Sequence, residues 1–209
     1  MKILLATHNV SKLERYKKIL KAIDFIELVS LADLNITEKV EENHETNTEN
    51  ALHKARTYGK ISGLVTVAID EALMTNFLPD NEQPGVYARR LTKDKKELTD
   101  SEVIETWKKI FKLYPQEDKQ FIWSFAVAFY NPVNNLEGVK CVQQISHIAK
   151  YFSTLGTNGY PMSTFLSPAK NGKPYIEMDQ KEKDEKDNKN FRAFIREFKK
   201  WMKIQMKLI

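Results

Sequence analysis

KILLATHNVSKLERYKKIL, Lys2 to Leu20, changes character twice in a short distance. Ile3 to Ala6 is an apolar run with the pattern of a buried strand, and Thr7, His8 and Asn9 are polar. Beyond them Leu13, Tyr16, Ile19, Leu20 and Ile23 recur at helical spacing. Strand, polar turn, helix is the opening unit of an alternating α/β chain. Downstream, Thr48 to Ser62 predicts a second helix with Ala51, Leu52, Ala55 and Tyr58 on one face and Gly63 as its C-cap. LVTVAID, a β-branched run ending in acid at Asp70, predicts a buried strand, and FLPDNEQPGVY, 77–87, a loop. Thr99 to Leu113 reads as a helix with Val103, Ile104, Trp107, Ile110 and Phe111 as its apolar face. Phe121 to Tyr130 and Gly138 to Ile148 read as a hairpin turned by NPVNN. Asp179 to Asn190, DQKEKDEKDNKN, is almost wholly charged or amide and is expected to be an exposed loop. The last stretch places Phe191, Phe194, Ile195, Phe198 and Met202 on one helix face, expected to pack on the core. Early alternation and a late hairpin predict an α/β fold with a mixed sheet.

The chain has 209 residues, 42% of them hydrophobic, enough for one well-cored domain. No apolar run approaches the roughly 18 residues of a membrane span, and the N-terminal apolar run is too short for a secretory signal. The expectation is a soluble, cytoplasmic protein without a membrane partner. Cys141, the only cysteine, has no partner for an internal disulfide and reads as a small buried hydrophobe. The net charge of +5 admits nucleic acid, an anionic membrane or a phosphorylated small molecule, and does not choose among them.

Three segments carry residues suited to chemistry. The turn at Thr7, Asn9 and Lys12 enters a helix whose first N–H groups lack intrahelical partners, which makes it a ready anion site. It is equally a plain helix start capped by Ser11. VEENHETNTENALHKA, 40–55, holds Glu41, Glu42, Glu45 and Glu49, with Asn50 and Lys54 one turn apart on the same face. Carboxylates there could hold a divalent cation and Lys54 a phosphate; acids favoured by a helix dipole are the alternative. His44 and His53 have no cysteine near them, so zinc is not expected. AIDEAL, 68–73, sets Asp70 and Glu71 at the end of a buried strand, where a carboxylate needs a partner unless the strand has reached water.

In this order, ATHNVSK, ENALHKA and AIDEAL, followed by PGVYARR at Pro84 to Arg90, resemble the inosine triphosphate pyrophosphatase family. That family cleaves non-standard purine nucleoside triphosphates, such as ITP, XTP and dITP, to monophosphate and pyrophosphate. The resemblance implies an elongated mixed central sheet flanked by helices, in one domain of two lobes with an active-site cleft between them, and a homodimer. It implies Mg²⁺, with Mn²⁺ as substitute, held by Asp70 with acids such as Glu41 and Glu42, Glu38 being a further candidate. Asp70 also becomes the water-activating acid. Thr7, His8, Asn9, Lys12, Asn50, Lys54 and Arg90 are implied as substrate contacts.

The chain departs from the family in two places. The family usually has two consecutive acids where this chain has Ile69 and Asp70. Residues 69 and 71 of a strand share a face, so Glu71 replaces the lost acid if the strand runs that far. The family's aromatic-Gly-aromatic-Asp stretch appears as TNGYPMSTF, 157–165, and its Ser-His-Arg as Asn190, Phe191 and Arg192. Tyr160 or Phe191 is then expected to stack on a base and Arg192 to donate to an oxygen, with altered base selection. The rival functions are a nucleotide-binding or interaction module of the same fold with impaired catalysis and, more weakly, a nucleic-acid-binding protein.

Overall fold

A computed structural model describes residues 1–92, 96–116, 118–157 and 159–207. Its strands are β1 (Lys2–Ala6), β2 (Glu27–Ser30), β3 (Val65–Thr75), β4 (Gln120–Asn131), β5 (Leu136–Ile148) and β6 (Leu166–Ser167). They form one mixed sheet in the order β2-β1-β3-β4-β5-β6. The helices are α1 (Val10–Leu20), α2 (Asn47–Ser62), α3 (Asp100–Leu113) and α4 (Gln180–Lys207). The chain divides into two compact units. The first comprises Met1–Asp70, Phe125–Val142 and Lys186–Ile209, and the second Glu71–Ser124 and Gln143–Glu185.

In the first unit β1 is paired in parallel on both sides, Leu4 opposite Val29 of β2 and Ala6 opposite Ala68 of β3. Parallel strands covered on both faces are apolar at successive positions, and Ile3 to Ala6 are all buried. Helix α2 is capped by Thr46, whose hydroxyl accepts from the Glu49 amide, and ends at Gly63 in the left-handed conformation (φ 68°). Small residues line the packing beneath it: Ala51 and Ala55 from α2 join Ala6, Ala68, Ala126 and Ala128 in one buried cluster. Gly59 completes this close approach, since a Cβ there would lie 2.7 Å from the Tyr130 ring. The second unit is built on aromatic rings. Trp107 of α3 lies edge-on to Phe121 at 5.0 Å between centroids, with Phe77, Phe111 and Phe165 around them. Helix α3 starts with a capping box formed by Thr99 and Glu102.

Four expectations change. Asn9, not Ser11, caps α1. Strand β3 does not stop at Asp70 but continues to Thr75. Cys141 is exposed, its sulfur 3.4 Å from the Thr48 hydroxyl. The charged run 179–190 is not a loop, because α4 begins at Gln180. Asp179 accepts from the Glu182 amide at 2.9 Å and Glu182 accepts from the Asp179 amide at 2.8 Å, a reciprocal cap that sequence composition hides. One turn later Asp187 takes a bidentate pair from Arg15 of α1 at 2.9 and 2.8 Å, and Phe191, Phe194, Phe198 and Met202 are fully buried.

Candidate active site

The turn between β1 and α1 is wound by its own side chains. The Thr7 hydroxyl accepts from the Asn9 amide at 3.2 Å, and Asn9 Oδ1 accepts from the Lys12 amide at 3.0 Å. The side-chain oxygens of Thr7 and Asn9 therefore shape the turn, and the Thr7 hydroxyl hydrogen and the Asn9 side-chain NH₂ are the donor groups those two side chains add to it. Lys12 is half-buried, and its charge is felt by Glu42.

Within the same unit, α2 and β3 bring together the central cluster. Lys54 Nζ donates to Asp70 Oδ1 at 2.8 Å and lies 3.1 Å from Glu42 Oε2. Asp70 is 5% exposed and Lys54 8%, whereas the Glu42 side chain is 44% exposed at the margin. Burial has the largest influence on Asp70 and pushes its pKa up to about 7. Lys54 opposes that rise, and the hydrogen-bonded Glu42 carboxylate adds to it. Partial burial also lifts Glu42, but the hydrogen bond from Asp70 and the charges of Lys54 and Lys12 outweigh it and hold Glu42 below its usual value. The two carboxyl groups are hydrogen-bonded to one another, so the protonation of each depends on that of the other.

Two adjoining carboxylates suit Mg²⁺, which is commonly bound through one or two protein carboxylates, with water and substrate phosphates completing its shell. The described residues hold no group of three or more His, Cys, Asp or Glu arranged for a metal. Glu42 and Asp70, both within reach of Lys54, are the two carboxyl groups that meet there. Glu41 stands apart, exposed, with Oε2 accepting from the Asn43 side chain at 2.8 Å. Strand β3 runs through Glu71, which shares the face of Ile69 and points away from the face of Asp70.

Other expected site residues take different work. Asn50 is 1% exposed and clamps one backbone residue: Oδ1 accepts from the His44 amide at 3.1 Å and Nδ2 donates to the His44 carbonyl at 3.2 Å. Both bonds fix the course of the acidic loop. His8 Nε2 meets the Glu38 carbonyl at 3.0 Å and the Tyr58 hydroxyl at 3.1 Å, a contact within the protein. Phe191 is fully buried, edge-on to Tyr16 at 5.5 Å and beneath the Arg15 guanidinium at 5.4 Å, so it cannot stack on a base. Arg192 is exposed on α4. In the second unit Arg90 is exposed and Tyr160 half-buried, with the Tyr160 amide donating to the Thr157 carbonyl at 2.8 Å. Asn158, within the expected base-recognition stretch, lies outside the described residues. Two groups escaped sequence reasoning. Tyr58 reads from the sequence as part of the apolar face of α2, although its place one turn beyond Lys54 is a signal for shared work. Arg89, beside Arg90, pairs with Asp100 at 2.7 Å.

Known proteins resemble this chain in sequence and in fold. The model of the Ham1 family matches residues 3–201. The dITP/XTP pyrophosphatase of Thermoanaerobacter sp. (strain X514) is 34% identical over 190 residues, 88% of each chain. A HAM1 protein from Coxiella burnetii shares the fold at a TM-score of 0.74 and 24% identity, covering 97% of this chain and 98% of that one. The nucleoside-triphosphatase, dITP/XTP pyrophosphatase, of Mycobacterium abscessus matches at a TM-score of 0.66 and 29% identity, over 93% and 96%. This chain belongs to the Ham1 family.

Proposed function

We propose that the chain is a nucleoside triphosphate pyrophosphatase that hydrolyses non-standard purine nucleotides such as dITP, XTP and ITP to the monophosphate and pyrophosphate. The single observation that carries this reading is the Lys54–Asp70–Glu42 cluster, with its two adjoining carboxyl groups and a buried ammonium. Glu42 and Asp70 would hold a divalent cation, which would neutralise phosphate charge and acidify water. Lys54 balances the negative charge of the two acids and favours the ionised form of Asp70, whose carboxylate accepts the proton of the attacking water. Lys12 and the donors of the Thr7–Asn9 turn bind phosphate oxygens and stabilise the charge that gathers on the leaving pyrophosphate. With Phe191 withdrawn into the core, base selection rests on fewer contacts than the family resemblance implies. Magnesium as the cation, with manganese as substitute, a homodimeric assembly and a cytoplasmic setting complete the reading, each resting on the resemblance.

Product analysis tests the bond that breaks. Incubation with dITP should yield dIMP and pyrophosphate in equal amounts; dIDP with inorganic phosphate would point to a different phosphohydrolase.

A further inference from the structure

The acidic loop that carries Glu42 has no helix or strand between Asn35 and Thr46, and Glu42 is half exposed. A carboxylate on irregular chain loses considerable freedom when fixed, so something must hold the loop if Glu42 is to stay beside Lys54 and Asp70. Helix α2 does this on both sides. Asn50, Lys54 and Tyr58 recur every four residues on one face of it. Asn50 clamps the His44 backbone after Glu42, and Tyr58 clamps the chain before it. The Tyr58 hydroxyl donates to the Glu38 carbonyl at 2.9 Å and accepts from the Val40 amide at 3.2 Å. His8, in the turn that also carries Asn9 and leads to Lys12, reaches the same point: its Nε2 lies 3.0 Å from the Glu38 carbonyl and 3.1 Å from the Tyr58 oxygen. Glu38 is at once the acceptor for both, so the phosphate-facing turn and the acidic loop are tied at one peptide group.

We infer that Tyr58 and His8 are positioning residues which latch the 38–40 backbone and thereby set Glu42 against Asp70 for cation binding. The inference rests on the cation reading proposed above. The Tyr58 ring is buried in the alanine-rich core and serves packing whatever the hydroxyl does. The latch is a property of the hydroxyl alone, which makes Tyr58→Phe the informative change.

Three readouts on the full chain test it: exchange of the Val40 amide, Mn²⁺ binding followed by electron paramagnetic resonance without nucleotide, and the Mg²⁺ concentration that half-saturates pyrophosphate release. Tyr58→Phe should expose the Val40 amide to exchange and weaken Mn²⁺ binding by about 10-fold, the scale on which groups supporting a metal ligand act. Half-saturating Mg²⁺ should rise to a similar degree, with kcat at saturating Mg²⁺ little changed. His8→Ala, an exposed position, should move the same readouts in the same direction. Tyr151→Phe, which removes a hydroxyl bonded to Glu177, should leave them where they are. Unchanged Mn²⁺ affinity in Tyr58→Phe, with Val40 protection lost, would reduce the hydroxyl to a structural bond and overturn the inference. A wild-type protein that takes up no Mn²⁺ would overturn the cation reading itself, and this inference with it.

Discussion

Asp70 is almost fully enclosed on β3, with the Lys54 ammonium at 2.8 Å and the Glu42 carboxyl beside it. Asp70 was legible because a strand that ends its apolar run in acid needs a partner there, and Lys54 because it stands one turn from Asn50 in a segment, ENALHKA, that carries the family resemblance. The sequence did not separate Glu42 from Glu38 and Glu41, since an irregular loop has no period from which to read which side chain turns inward. The raised pKa of Asp70 has a consequence for stability. Its ordinary value is 3.8 and its folded value about 7, so between those pH values the folded state holds the extra proton. Stability is therefore fullest below about pH 4 for this group and is lost as pH rises through about 7. In chelator, the thermal midpoint of the wild type should decline over this window relative to that of Asp70→Asn, by about 2–4 °C for each kcal/mol of linkage. Parallel curves for the two proteins would contradict the shift.

At the scale of elements, α1, α2 and α3 were legible from apolar spacing and their ends, because local caps and a single buried face define them. Helix α4 was legible only in its second half. Its first turns consist of charged residues with no apolar stripe, and they are helical because of the Asp179–Glu182 cap and the Arg15–Asp187 pair, a contact between residues remote in sequence. The same contact explains why Phe191 reads as a ligand residue in a family frame and as core in the structure. Helical continuation turns its ring onto Tyr16 and Phe125. Phe191→Leu should accordingly lower stability in urea by about 1 kcal/mol, as a near volume-conserving core change does, and leave the KM for dITP within about twofold. A raised KM with undiminished stability would return Phe191 to the base site.

For the molecule as a whole, the mixed sheet, the late hairpin and the α/β class followed from the order of periodic segments, as the six-stranded order confirms. The division into two compact units cuts through β3, β4, β5 and α4. The boundary in β3 lies between Asp70 and Glu71, where the sequence suggested a strand end and the structure has none. A continuous strand gives no local signal of such a boundary. Membership of the Ham1 family and the Lys54–Asp70–Glu42 cluster both support the proposed triphosphate hydrolysis. The most direct test is pyrophosphate release from a panel of dITP, XTP, ITP and the standard nucleoside triphosphates, with and without Mg²⁺, beside Asp70→Asn. Release should depend on Mg²⁺, favour the non-standard purines and fall by at least about 100-fold in the variant, as loss of an essential metal ligand and proton acceptor requires. Release that persists in folded Asp70→Asn, or none from wild type that still binds nucleotide, would contradict the proposed hydrolysis.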